Sequence, residues 1–153
     1  DWKEEAAGNR HDNETFLKMV DVAEKLLRRE ILVRSDKQSA RGLVLAAYKE
    51  SDRKDLIVLA EHYPWKKVLV QFPEPLYVVA PYCDKWAVSA VPIEWSSFTN
   101  RKDFPPEWAG KEGDELASVS GVLDAVFCHR SLFFAVAKSK EGALARAEKA
   151  ISR

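Results

Sequence analysis

The chain has 153 residues, 46% hydrophobic and 31% charged, enough for a domain with a real apolar core. Its 24 basic and 24 acidic residues cancel, so no overall field draws it to nucleic acid or an anionic membrane, and any such attraction has to be a local patch. Two cysteines and three histidines supply neither a disulfide framework nor a zinc site of standard spacing, and no apolar run approaches the roughly 20 residues of a membrane span.

Residues 1–12 are polar and read as a lead-in or linker. Phe16, Met19, Val20, Ala23, Leu26 and Leu27 then recur at three- and four-residue steps, which marks one face of a helix, with Asp12 and Asn13 as suitable caps. Ser35-Asp36-Lys37 predicts an end or a bend. Ala40, Leu43, Val44 and Ala47 stripe a second helical segment to about Lys49, so 13–50 reads as a helical arm. "SDRKD" is a turn and "LIVLA" (56–60) a short buried strand. Prolines punctuate the middle of the chain. Between them "LYVVAPY" (76–82) and "WAVSAVPI" (86–93) predict an antiparallel hairpin, with Trp86, Val88 and Ala90 on one face and Ala87, Ser89 and Val91 on the other. "FTNRKDFPPEWAG" (98–110) reads as an ordered loop, and "GDELASVSG" (113–121) as a helix stopped by Gly121. "AVFCHR" and "SLFFAVA" read as two strands or one interrupted strand. The last helix takes Ser139 as N-cap and Glu141 in its first turn, with Ala143, Leu144, Ala147 and Ile151 toward the core.

The expected fold class is therefore α+β: a mixed sheet of about five strands with covering helices over 55–153, and an N-terminal helical arm, all one domain over 13–153. Cys83 and Cys128 both sit beside strand-like residues and read as buried small hydrophobes.

Candidate chemistry is sparse. "RHDNE" (10–14) looks like a ligand cluster, but helix capping accounts for Asp12 and Asn13. Cys128 and His129 are adjacent on a strand and point apart, so they do not pair as nucleophile and base. There is no nucleophile elbow and no Gly-rich phosphate loop. The chain is not expected to be catalytic alone. Binding is better supported. If 125–130 is extended, His129 or Arg130 emerges at the strand end. Lys138 and Lys140 flank a helix start whose free N–H groups suit an anion. Arg101 and Lys102 lie among Phe98, Phe104 and Trp108, and cations interleaved with aromatics suit a nucleotide or a single strand. The competing reading is that these aromatics anchor the loop and the cations are solvated.

Several stretches carry a resemblance: "PWKK" (64–67), "WAVSAVPIEWSSFTNRKDFPPEWAGKEGDELASVSGVLDAVFCH" (86–129) and "KSKEGALARA" (138–147). In this order they resemble the C-terminal half of the melanocyte-proliferating-gene-product family, also described as metal-dependent protein hydrolases. The resemblance runs from about Phe16 to the C-terminus. It implies membership of the DHH phosphoesterase superfamily, whose N-terminal domain binds manganese or magnesium through Asp and His motifs, and whose C-terminal part is a DHH-associated substrate-binding domain. It implies 3′-to-5′ exoribonuclease activity in nucleus and mitochondria. The metal-binding half has no counterpart in these residues, so no cofactor is expected in this chain.

The implied partners are a nucleic acid or nucleotide, RNA favoured, and an N-terminal DHH domain, with no membrane; a homo-oligomer is compatible. The expected setting is intracellular: cytoplasmic, or nuclear and mitochondrial in a eukaryote. Arg101, His129, Arg130 and Lys138 are the expected phosphate contacts, with Ser131 assisting and Trp108 or Phe133 as stacking surface. The alternative is a diverged, non-catalytic interaction module. The family pattern near 127–144 resembles "FVHASGFIGGNKTKEGAL". Here Arg130 replaces Ala, Leu132 replaces Gly, and Ala135-Val136 replaces the Gly pair. Side chains at 135 and 136 are expected to obstruct a ligand's approach to the backbone.

Overall fold

The computed structural model describes residues 2–153, with side chains from Thr15 onward, and divides into two units, 1–39 and 40–153. Helix α1 (Trp2–Glu50) contributes to both. It starts earlier than the expected Asn13, so Asp12 and Asn13 lie inside it; their side chains, with those of "RHDNE", lie outside the described residues. It also runs through Ser35-Asp36-Lys37. None of these is Gly or Pro, and the Ser39 hydroxyl donates back to the Ser35 carbonyl at 3.1 Å, which lets a polar stretch remain helical.

In the first unit the expected apolar stripe is present and exposed: Phe16 is 66% exposed, and Met19, Leu26 and Leu27 are similarly open. Local ion pairs Asp21–Lys25, Glu24–Arg28 and Glu30–Arg34 link successive turns.

The second unit is α+β. Its strands are β1 (Leu56–Val58), β2 (Tyr77–Tyr82), β3 (Lys85–Ala90), β4 (Ala125–Cys128) and β5 (Phe134–Ala137). They form one mixed sheet in the order β1-β2-β3-β5-β4, in which β1 lies parallel to β2 and the other pairs are antiparallel. Helices α2 (Lys66–Leu69), α3 (Gly113–Ser120) and α4 (Lys140–Ser152) accompany it, with a 3-10 turn at Pro106–Trp108. The short parallel strand β1 needs a crossover, and the segment containing α2 supplies it.

Alternation sorts the side chains onto two faces. The first face gathers Tyr77, Val79, Val88, Ala90, Ala135 and Ala137 with Phe104, Trp108, Leu116 and the Ala143–Ala147–Ala150 stripe of α4. The second gathers Ile57, Val78, Ala80 and Val91 with Trp65, Val68, Leu69 and Val44. Leu43, one of the residues of the second expected stripe, is exposed; Val44, Leu45 and Tyr48 pack, and Tyr48 stacks on Phe72 with centroids 4.0 Å apart. Gly121 takes the left-handed conformation at the end of α3, as a helix stop requires.

The outer edge of β4 is covered. The Cys128 N–H donates to the Lys111 carbonyl, the Gly110 N–H donates to the Cys128 carbonyl, and Glu112 bridges to Phe127. Among the described residues, no helix is long and apolar enough to cross a membrane.

Candidate nucleic-acid site

β4 and β5 are joined by residues 129–133, and this turn, not a strand end, carries the expected binding residues. The His129 N–H donates to the Phe134 carbonyl at 2.8 Å, and the Leu132 N–H closes the turn onto the His129 carbonyl at 2.9 Å. Leu132 sits at φ 57°, the left-handed region that normally selects Gly. The Gly in the family pattern at this position thus has a backbone reason, and Leu132 holds its strained conformation through a carbonyl that accepts from the Phe104 N–H and a side chain packed against the core. The turn displaces Arg130 from the strand alternation expected for 125–130, as does a bulge between Ala125 and Phe127.

His129 is half-buried. Its Nδ1 accepts from the Ser131 N–H at 3.0 Å, which places the proton of the neutral ring on Nε2 and makes that atom the available donor. Its ring lies 4.5 Å from that of Phe133, itself 38% exposed. Arg130 and Ser131 are exposed, and Arg130 makes no ion pair among the described residues. The turn therefore offers an imidazole donor, a free guanidinium, a hydroxyl and an aromatic face within five residues. That combination matches a phosphate with a neighbouring base.

The other expected contacts lie elsewhere. Arg101 is committed to the main chain: its guanidinium donates to the carbonyls of Val70 (2.9 Å), Pro75 (3.0 Å) and Phe72. Burial pushes its pKa below the usual value. It clamps the 70–75 loop and has little left to offer a phosphate. Trp108 is fully buried, stacked on Phe104 and beneath the Arg146 guanidinium, 5.4 Å from its ring, so it presents no surface to a base. For Trp108, the reading in which aromatics anchor the loop is the correct one.

The start of α4 is also spoken for. The Ser139 hydroxyl accepts from the Gly142 N–H at 3.0 Å, as an N-cap should, but Ser139 also donates through both its N–H and its hydroxyl to the Asp124 carboxylate. The anion expected at this helix end is the chain's own Asp124. Lys138 remains exposed, at the far end of β5 from the turn. Ala135 does not obstruct the site either: its methyl is buried on the first face with the core, while Val136 is buried on the second.

Two further residues, outside the set that the sequence singles out, organise this region. Arg146 is fully buried in α4 and donates through Nη1 to the Val136 carbonyl (2.7 Å) and the Phe127 carbonyl (3.3 Å), tying both strands of the hairpin to the helix. Its position three residues after Ala143 placed it on the buried face, and that phase was the available signal. Asp124, fifteen residues from its partner, carried none.

Cys83 corrects another expectation: it is exposed, at φ 54° in the β2–β3 turn, whereas Cys128 is buried. Among the described residues no three His, Cys, Asp or Glu side chains converge to hold a metal ion. A recess of about 410 Å³ lies between the Phe104–Glu107 loop and the end of α4, reached by Leu132 but by no other residue of the turn.

Comparison with known proteins agrees with the motif order. The sequence pattern of MYG1_exonuc, an uncharacterised protein family (UPF0160), matches residues 1–151. A MYG1 protein of Dictyostelium discoideum is 34% identical over 107 residues, covering 65% of this chain and 32% of that protein. A MYG1 protein of Saccharomyces cerevisiae is 35% identical over 125 residues, covering 72% and 37%. A Rattus norvegicus protein named MYG1 exonuclease is 29% identical over 153 residues, covering 89% and 40%. No solved structure matches. The chain spans about a third of the length of these relatives. With its family pattern matched almost from end to end, the chain belongs to the MYG1_exonuc family.

Proposed function

We propose that this chain is the substrate-holding part of a nuclease: it binds RNA, or a nucleotide released from it, and presents the phosphodiester to a metal-dependent DHH-type half of a longer protein. The observation that carries this reading is the family match over 1–151, whose relatives include one named an exonuclease. The β4–β5 turn agrees with it. His129 and Arg130 contact phosphate, Ser131 adds a hydroxyl, Phe133 stacks, and Lys138 adds positive charge at the other end of β5. Hydrolysis itself, with its manganese or magnesium, belongs to the other half.

The test is titration of a labelled single-stranded oligoribonucleotide against the wild type and a His129→Ala/Arg130→Ala variant. The variant is expected to bind roughly tenfold or more weakly. Equal binding by the two proteins sinks the assignment of the turn. A second reading, a non-catalytic interaction module, has one observation in its favour: the exposed apolar stripe of α1 around Phe16 and Leu27. It predicts no RNA binding by either protein.

A further inference from the structure

The second face of the sheet is unevenly covered. Its apolar cluster draws on β1, β2 and Val91, but on no residue of β4 or β5. The register places Ala80, Ala87, Val136 and Phe127 in one row across β2, β3, β5 and β4, and Val78, Ser89 and Phe134 in the next. Ala87 and Val136 are nevertheless buried. The large side chains of that face near them are Tyr82, Phe127 and Phe134, whose rings form a connected set: Tyr82–Phe134 at 5.4 Å and Phe127–Phe134 at 6.1 Å. The set continues into the turn, with Phe133–Phe134 at 6.2 Å, His129–Phe133 at 4.5 Å and Phe127–His129 at 6.4 Å. These are ordinary aromatic contact distances, and together they make one surface from the turn to the far end of β2.

That surface is open at its two ends, and Phe127 and Phe134 between them are half-buried. Tyr82 is 44% exposed, and Phe133, at the opposite end, is similarly open. Continued one residue past β5, strand alternation puts Lys138 on the same face as Phe134 and Val136, and within β3 it puts Lys85 on the same face as Ala87. Lys85 pairs with Asp84, while Lys138 makes no ion pair among the described residues. A sheet floored by small residues, crossed by rings, with Lys138 at one edge and Arg130 in the adjoining turn, has the chemistry of a stacking platform: π-faces for bases and cations for the phosphates between them. A duplex hides its base faces and cannot use such a surface.

We propose that the Tyr82–Phe134–Phe127 face is a platform for unpaired bases, extending the turn's phosphate site into a track for a single-stranded nucleic acid. This rests on the nucleic-acid reading above and adds the surface and the strand selectivity. Its occupant is single-stranded because the exposed rings, Tyr82 and Phe133, flank half-buried Phe127 and Phe134 on a sheet face and not at the bottom of a pocket, and because only unpaired bases offer free faces to such rings.

The experiment measures fluorescence anisotropy of an unstructured 12-nucleotide oligouridine, its deoxy counterpart and a duplex of the same length. The proteins are the full chain and the variants Tyr82→Ala and His129→Ala/Arg130→Ala. Tyr82→Ala is expected to weaken single-strand binding by roughly 5- to 100-fold, the range for loss of one stacked base, and to leave the weaker duplex binding unchanged. Wild-type binding that is weakened by the His129/Arg130 changes but not by Tyr82→Ala overturns the platform and leaves the turn site standing. No single-strand binding by the wild type overturns both. A dimer in sedimentation that Tyr82→Ala breaks assigns the face to a second copy and also overturns the platform. Should Tyr82→Ala fail to fold, photo-cross-linking of a 4-thiouridine oligomer to the wild type decides: adducts on Tyr82, Phe127 or Phe134 support the platform, and adducts confined to other peptides overturn it.

Discussion

The two units use the same kinds of apolar residue to opposite ends. In the first, Phe16, Leu26 and Leu27 recur at helical spacing and stay open to solvent, so the helix there rests on propensity and on i,i+4 ion pairs worth a few tenths of a kcal/mol each. In the second, a shorter stripe on the same helix places Val44 at 0% exposure against a sheet, and both faces of that sheet hold packed clusters. Periodicity says which residues share a face. It does not say whether that face is covered, and covering is what converts a pattern into stability.

The comparison breaks most readily at Arg146. Arg146→Ala removes two hydrogen bonds to hairpin carbonyls and leaves a void beside Trp108, and should cost about 3–5 kcal/mol in urea unfolding. Arg146→Met, which refills the volume, should recover part of the loss; an unchanged midpoint for the Ala variant would refute the tie between α4 and the hairpin. Next is Gly142. Ala normally stabilises a helix relative to Gly by about 1 kcal/mol. At Gly142, however, a Cβ would lie 1.8 Å from the Asp124 carboxylate, so Gly142→Ala should instead cost about 1–3 kcal/mol. Gly42 in α1 has nothing within 4 Å of such a Cβ, and Gly42→Ala should stabilise by about 0.5–1 kcal/mol in the same assay.

Depth of packing also sets a pH dependence. Burial pushes the Cys128 thiol up to about 11 from an ordinary 9.0, and burial raises Tyr77 as well. Above pH 9 the unfolded chain loses a thiol proton that the folded chain keeps. The unfolded state is then favoured, so stability should decline from about pH 9 to about 11. Cys128→Ala should flatten that decline, and a thiol reagent at pH 8 should label Cys83 long before Cys128. The smallest effect belongs to the first unit: Leu26→Gln should shift the main unfolding transition by under about 0.5 kcal/mol. A larger shift would show that the stripe is covered.

Much of the second unit was legible in the sequence. The hairpin around Cys83-Asp84, the alternation of β3, the Gly121 stop and the Ser139 cap each follow from local chemistry that few alternatives satisfy. The β4–β5 turn was legible as a set of residues but not as a turn. Leu132 occupies a conformation that its side chain disfavours, and only tertiary packing explains that. Arg101 and Trp108 misled for a shared reason. A cation or an aromatic in a proline-rich loop looks the same in sequence whether it faces solvent or closes a loop from inside, and three carbonyls 26 to 31 residues away decided the fate of Arg101. The Asp124–Ser139 pair was beyond reach because it joins residues whose proximity exists only after the hairpin forms.

The covered edge of β4 has a consequence for association. A sheet grows by accepting another strand along an unpaired border, and this one offers little border: β1 is three residues long, and β4 is paired along Gly110–Glu112. Strand addition, the route by which exposed sheets recruit peptides or one another, is thereby restrained at both ends. A partner that cannot add a strand has to meet this sheet broadside, through side chains and not through a backbone ladder.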